Sequence, residues 1–165
     1  MVNDANACPH GRLALSGSTV NVVEFNARFG DPETEAVLPR LGGDFATALL
    51  HAATGCLSDA DIVVKPEAAA TVIVASGGYP GAYEKGREIS GLGGDSDGTV
   101  VFHCGTKADG ARTLTAGGRV LSVTGTGATL RAAVDKAYAR VAQIAFDGMF
   151  FRRDIAHRAF ARGES

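Results

Sequence analysis

The chain has 165 residues, 45% hydrophobic and 21% charged, which fits one domain, or a small domain with a piece of another, and excludes wholesale disorder. A net charge of −2 and a pI near 6.1 give no basic face, so nucleic acid is not an expected partner. No apolar run reaches the roughly 18 residues of a membrane span. The first residues lack the basic and apolar regions of a signal peptide. Cys8, Cys56 and Cys104 are widely spaced, without a CxxC pair. Reduced thiols in a cytoplasmic protein are the expectation, with Cys104 a small core residue inside an apolar run.

In chain order, residues 1–10 show no periodicity. Residues 12–15 and 20–25 read as strands that form a hairpin across Ser16-Gly17-Ser18. Asp31-Pro32 reads as a helix start, with Asp31 the N-cap and Pro32 the first helical residue, and Glu33 and Glu35 in the first turn. Val37, Leu38 and Leu41 give that short helix its apolar side, and Gly42-Gly43 ends it. Asp44 caps a second helix, which carries Phe45, Leu49, Leu50 and Ala53 and stops at Gly55. From residue 68 the composition shifts. Strands are expected at 70–75, 100–104, 112–115 and 119–124, the last two joined at Ala116-Gly117-Gly118. Leu130, Val134, Ala137, Tyr138, Val141, Ile144 and Ala145 recur at helical spacing, with Thr129 as N-cap and Gly148 as stop. Residues 150–160 read as a strand and a short turn of helix. Strands followed by a late helix make the fold class α+β with antiparallel pairing.

The chemistry concentrates at the end of the 20–25 strand. Glu24 and Asn26 are two apart, so an extended chain points both the same way. A carboxylate and an amide oxygen are hard ligands suited to Mg²⁺, which takes few protein ligands and shares itself with substrate phosphates. Arg28 carries a fork of donors for phosphate or carboxylate. The Asp31-Pro32 helix start offers backbone N–H groups toward an anion. Taken alone, Glu-x-Asn is also a common solvated strand end, and Asp-Pro-Glu a common cap. Gly77-Gly78-Tyr79-Pro80-Gly81 is glycine-rich, but no Gly-Lys-Ser/Thr follows, so it is not a P-loop; the favoured reading is structural, with Tyr79 and Tyr83 packed against the connection. His103 reads as a core or edge histidine, and His157 with Arg152-Arg153 as solvated surface.

Val23-Glu24-Phe25-Asn26-Ala27-Arg28-Phe29-Gly30-Asp31-Pro32-Glu33-Thr34 resembles the signature of the phosphoribosylamine–glycine ligase family. Ala75-Ser76-Gly77-Gly78-Tyr79-Pro80-Gly81, Tyr83-Glu84-Lys85-Gly86, Val101-Phe102-His103-Cys104-Gly105-Thr106, Gly117-Gly118-Arg119-Val120-Leu121 and the run from Phe146 to Ile155 agree in order. The resemblance covers residues 11–160. It implies the last part of an ATP-grasp module (residues 11–60, after a terminus, 1–10, unlike the family) and then a small, mainly antiparallel domain with a long helix (61–165). It further implies Glu24 and Asn26 as ligands of Mg²⁺ or Mn²⁺, with Arg28, Gly30, Asp31 and Pro32 bordering the substrates. ATP, glycine and phosphoribosylamine are the implied reactants of the complete enzyme. Because the family's nucleotide pocket precedes this stretch, the chain alone is expected to be inactive and to join an amino-terminal half or a second copy. The alternative expectation is a non-catalytic remnant or partner module.

Overall fold

Ser16 and Thr19 face each other across the first turn, closing β1 (His10–Ser16) on β2 (Thr19–Asn26) as the expected antiparallel hairpin. The computed structural model describes residues 10–16, 18–26, 29–94 and 98–163, with the backbone alone for much of this hairpin. The chain falls into two compact units, Met1–Thr34 and Glu35–Ser165.

A cis peptide joins Asp31 to Pro32, and α1 (Glu33–Val37) follows directly. Asp31 and Pro32 therefore form a turn ahead of the helix, one residue short of the expected cap and first helical position. The link across the helix start comes from Thr34, whose N–H and hydroxyl both donate to the Gly30 carbonyl. A 3-10 turn (Leu38–Arg40), β3 (Leu41–Gly42), α2 (Phe45–Thr54), a second 3-10 turn (Asp59–Asp61) and β4 (Val63–Val64) come next, with β4 paired to β3. α2 keeps its expected bounds. The Asp44 carboxylate accepts the Thr47 N–H at 3.1 Å, and Gly55 closes the other end in the left-handed region. The Thr47 hydroxyl and N–H hold the Asp44 carboxyl below its ordinary range. Ala48 is buried, but Leu49 and Leu50 are exposed, as are Val37, Leu57, Ile62, Val63 and Val64.

The larger core is built from β5 (Ala68–Ser76), β6 (Thr99–His103), β9 (Arg119–Gly127), α3 (Leu130–Val141) and β10 (Met149–Phe151). Between β6 and β9 lies a separate hairpin of β7 (Thr106–Asp109) and β8 (Arg112–Thr115), and α4 (His157–Ala161) ends the described chain. The sheet runs β10-β5-β9-β6, every neighbour antiparallel. Alternation along β5 and β9 sends Val72, Val74, Leu121 and Val123 to one face, where Ala137 and Val141 of α3 and the following Ile144 cover them. At Gly125 the helix backbone comes so close that a Cβ would fall against the Ala133 carbonyl and 2.7 Å from the Ala137 nitrogen. Glycine in this strand is the condition for seating α3 directly on β9. The fold class is α+β, as expected.

β8 and β9 are joined at 116–118 as expected, while β8 pairs with β7, because the 105–117 stretch folds back on itself. Two local expectations are corrected. α3 ends at Val141, and Gly148 lies in the turn before β10. Ile144 is still buried, so the helical spacing at its end reports a core-facing loop. Cys104 is exposed, because it sits in the bend between β6 and β7. Cys8 lies outside the described residues. No helix among the described residues is long and apolar enough to cross a membrane.

Candidate functional site

β2 carries the Glu24–Asn26 pair in regular extended backbone. The β1–β2 register slips between Arg12 and Leu13, so that Arg12 faces Glu24 while Leu13 faces Val22. The irregularity ends at Glu24: Glu24, Phe25 and Asn26 face Arg12, Gly11 and His10 in unbroken order. Positions 24 and 26 therefore share one side of the hairpin. Their side chains, and the whole of Arg28, lie outside the described residues. The donor set of one carboxylate and one amide oxygen suits a hard divalent cation that keeps several other ligands.

Gly30, Asp31 and Pro32 are described, in the turn before α1. Asp31 and Phe29 each have an interaction partner. A Cβ built on Gly30 would fall against the Glu33 carboxylate, which places an acidic group beside the helix start. α1 is five residues long, so few peptide dipoles align behind its N–H groups.

The glycine-rich connection is structural in its contacts. The Gly77 N–H donates to the Gly148 carbonyl at 2.6 Å, and the Gly81 N–H to the Gly78 carbonyl at 2.7 Å. The Tyr79 ring occupies the space a side chain at Gly118 would fill, and Tyr83 meets it edge-on at 6.1 Å. Arg87 bridges Glu84 and Asp147, and the Glu84 carboxylate raises its already high pKa. His103 lies on β6, the sheet edge, with Nδ1 2.9 Å from the Thr106 hydroxyl. Arg152 grips Asp154 through two bonds of 2.8 and 2.7 Å at the surface. None of these groups converges on a cluster of three or more His, Cys, Asp or Glu among the described residues.

His51 at the end of α2 places Nδ1 2.9 Å from the Asp61 carboxylate, tying the helix to the second 3-10 turn. Asp61 also accepts the Ser58 N–H at 2.9 Å. The Ser58 N–H first, then His51, hold its pKa below the ordinary value. The link is therefore present above the unfolded carboxyl value of about 3.9 and lost as pH falls through the lower folded one. An NMR titration should find the Asp61 inflection below that value, and His51→Ala should move it upward.

Arg140 escaped the sequence reading. It is 2% exposed and donates to the carbonyls of Gly91 at 2.8 Å and Leu92 at 3.1 Å and to Gln143 Oε1 at 3.2 Å. The signal was its place three residues after Ala137, on the buried stripe of α3.

The paired strands, the seated helix and the glycine-bearing connection define a small α+β domain built on an antiparallel sheet. Residues 69–158 match the family model "Phosphoribosylglycinamide synthetase, C domain", and the chain belongs to that family. Phosphoribosylamine–glycine ligase of Streptomyces coelicolor is 50% identical over 152 residues, covering 89% of this chain and 36% of the relative. The Rhizobium meliloti enzyme of the same name is 48% identical over 150 residues, 91% of this chain and 36% of that protein. A bifunctional purine biosynthetic protein of Schizosaccharomyces pombe is 44% identical over 89% of this chain and 19% of its own length. The crystal structure of phosphoribosylamine–glycine ligase from Thermotoga maritima superposes with a TM-score of 0.70 at 34% identity, covering 86% of this chain and 35% of that one. The chain thus spans about a third of the length of the single-function ligases it matches (36% of the Streptomyces enzyme).

Proposed function

We propose that the chain is the carboxy-terminal portion of a phosphoribosylamine–glycine ligase acting in purine biosynthesis. The observation that carries this is identity of 50% over 89% of the chain to an enzyme of that name. In the proposed reaction the glycine carboxylate attacks the terminal phosphorus of ATP, giving glycyl phosphate and ADP. The amine of phosphoribosylamine then attacks the acyl carbon, and phosphate leaves with the C–O bond electrons. Glu24 and Asn26 would hold Mg²⁺ or Mn²⁺, and a divalent ion there supplies positive charge against the phosphate oxygens. Arg28, with the Gly30-Asp31-Pro32 turn, would border the substrates and orient an anionic group through the guanidinium fork.

A site holding two protein ligands on one hairpin leaves the ion mostly hydrated, so the chain by itself is expected to bind it weakly and to form no product. Electron spin resonance of Mn²⁺ with the purified chain should show binding that Glu24→Gln weakens about tenfold or more. Binding unchanged by that substitution would remove the metal assignment. ATP-dependent product formed by the 165-residue chain alone would show that it contains a complete site. A second reading, a non-catalytic module that joins another chain, draws on the exposed Leu49, Leu50, Val63 and Val64. Sedimentation that finds only monomer argues against it.

A further inference from the structure

β6 is an outer strand of the four-stranded sheet, with β9 on one side. Its hydrogen-bonding phase follows from its two ends. The Thr126 N–H donates to the Gly98 carbonyl at 2.7 Å, and the Cys104 N–H donates to the Val120 carbonyl at 3.0 Å. Along an antiparallel strand, backbone groups alternate between facing the partner and facing away. Gly98, Val100, Phe102 and Cys104 therefore turn theirs toward β9, and Val101 and His103 turn theirs outward. Among the described residues no backbone group meets Val101 or His103 on that outer side.

Soluble proteins guard such an edge with charge, proline or a bulge. β6 has none of these. Residues Thr99 to Thr106 include no Lys, Arg, Asp, Glu or Pro, and the register with β9 is unbroken. Three of the five residues of β6 are β-branched and one is aromatic, the types that suit a paired strand. Val100 is 39% exposed. The opposite edge of the sheet differs: β10 has three residues and runs into Arg152 and Arg153, charges that a copy would repeat.

We infer that two copies of this chain pair antiparallel along β6, joining two four-stranded sheets into one. The outward groups of Val101 and His103 are two donors and two acceptors. A two-fold axis beside Phe102 sets each donor against an acceptor: Val101 of either copy exchanges both bonds with His103 of the other. Phe102 then faces Phe102 as a non-hydrogen-bonded pair, the kind in which side chains lie closest, and Val100 faces Cys104. No charge meets its like across the axis. The interface is small, because a five-residue edge falls short of the roughly 1,200 Å² at which stable complexes begin, so the pair is weak and forms at high concentration. The inference is independent of the proposed ligase function.

The test uses the whole chain. Amide hydrogen exchange is followed by NMR at about 10 µM and about 1 mM, which brackets weak association. The expected result is exchange at Val101 and His103 that slows several-fold at the higher concentration, while Phe102, bonded to β9 throughout, is unchanged. His103→Pro removes an outward donor and no bond to β9. Checked by circular dichroism to be folded, it should weaken association about tenfold or more in sedimentation equilibrium. Leu50→Ser, in the exposed apolar stretch, should leave association unchanged. A second measurement reads the register. Val100→Cys, in a Cys8→Ser, Cys56→Ser background, sets a thiol opposite Cys104 of the second copy, within reach of a disulfide. Oxidised glutathione should then give a covalent dimer; the background without Val100→Cys should not, because its two Cys104 thiols stand four residues apart along the pair. Exchange at Val101 and His103 independent of concentration overturns the inference, as does association that His103→Pro leaves intact or Leu50→Ser abolishes. Absence of the covalent dimer overturns it too.

Discussion

Leu121→Ala is expected to lower the stability of the Glu35–Ser165 unit by about 2–5 kcal/mol, the range for truncating a buried leucine. Leu121 is wholly buried in β9, which has sheet neighbours on both sides, opposite Val74 on β5 and His103 on β6. Its side chain lies in the cluster that Val141, Ile144 and Phe146 complete. Those neighbours are tied to a sheet and to a helix seated against Gly125, so they cannot close the space left behind. Urea unfolding followed by circular dichroism should show a lower midpoint with an unchanged slope. A loss below about 1 kcal/mol would mean that the cluster collapses to fill the void. Against a typical total of about 5–15 kcal/mol, the expected loss is a large share.

Arg140→Met should cost about 2–4 kcal/mol by a different route. Methionine keeps the apolar stem but removes every donor, leaving the carbonyls of Gly91 and Leu92 facing a thioether. A hydrogen bond from a charged donor contributes about 1.5–3 kcal/mol, and the exposed Gly91 and half-buried Leu92 let water recover part of the loss. The guanidinium reaches two successive carbonyls and a side-chain amide at once, which an ammonium cannot match with its compact geometry. Arg140→Lys should therefore recover less than half of the loss. Hydrogen exchange at Ser90, whose N–H donates to the Ala145 carbonyl at 2.9 Å, should speed up in Arg140→Met. Exchange unchanged there would show that the connection holds without the arginine.

Much of the architecture was legible because local chemistry and final packing agree. Asp44 and Gly55 bound α2 because a carboxylate can cap N–H groups and a glycine can turn left-handed, whatever else the chain does. The Ser16–Thr19 turn and β-branched Val20 and Val22 announced the first hairpin. β7 was missed because Thr106-Lys107-Ala108-Asp109 is polar, lies largely in water, and lacks an apolar alternation to betray it. The end of α3 was misplaced because Ile144 keeps helical spacing while the backbone has already left the helix. At the candidate site the two-residue spacing of Glu24 and Asn26 was legible, and the hairpin register preserves it. The Asp31-Pro32 turn was not, since a favourable capping residue does not reveal a cis peptide. The hydrogen bond from the Thr124 hydroxyl to the Glu35 carbonyl was invisible to motif reading, because it joins positions 89 apart that meet only in the folded chain.

The oily side chains left wet between Val37 and Val64 also govern how the chain behaves in bulk. Salts that are driven off protein surfaces, such as sulfate, make contact between such faces more favourable. Ammonium sulfate should therefore bring chains together at concentrations that leave evenly charged proteins dispersed, and a phenyl resin should retain them. Cooling weakens the same attraction, so cold, sulfate-free buffer is the condition that keeps this molecule apart from its copies.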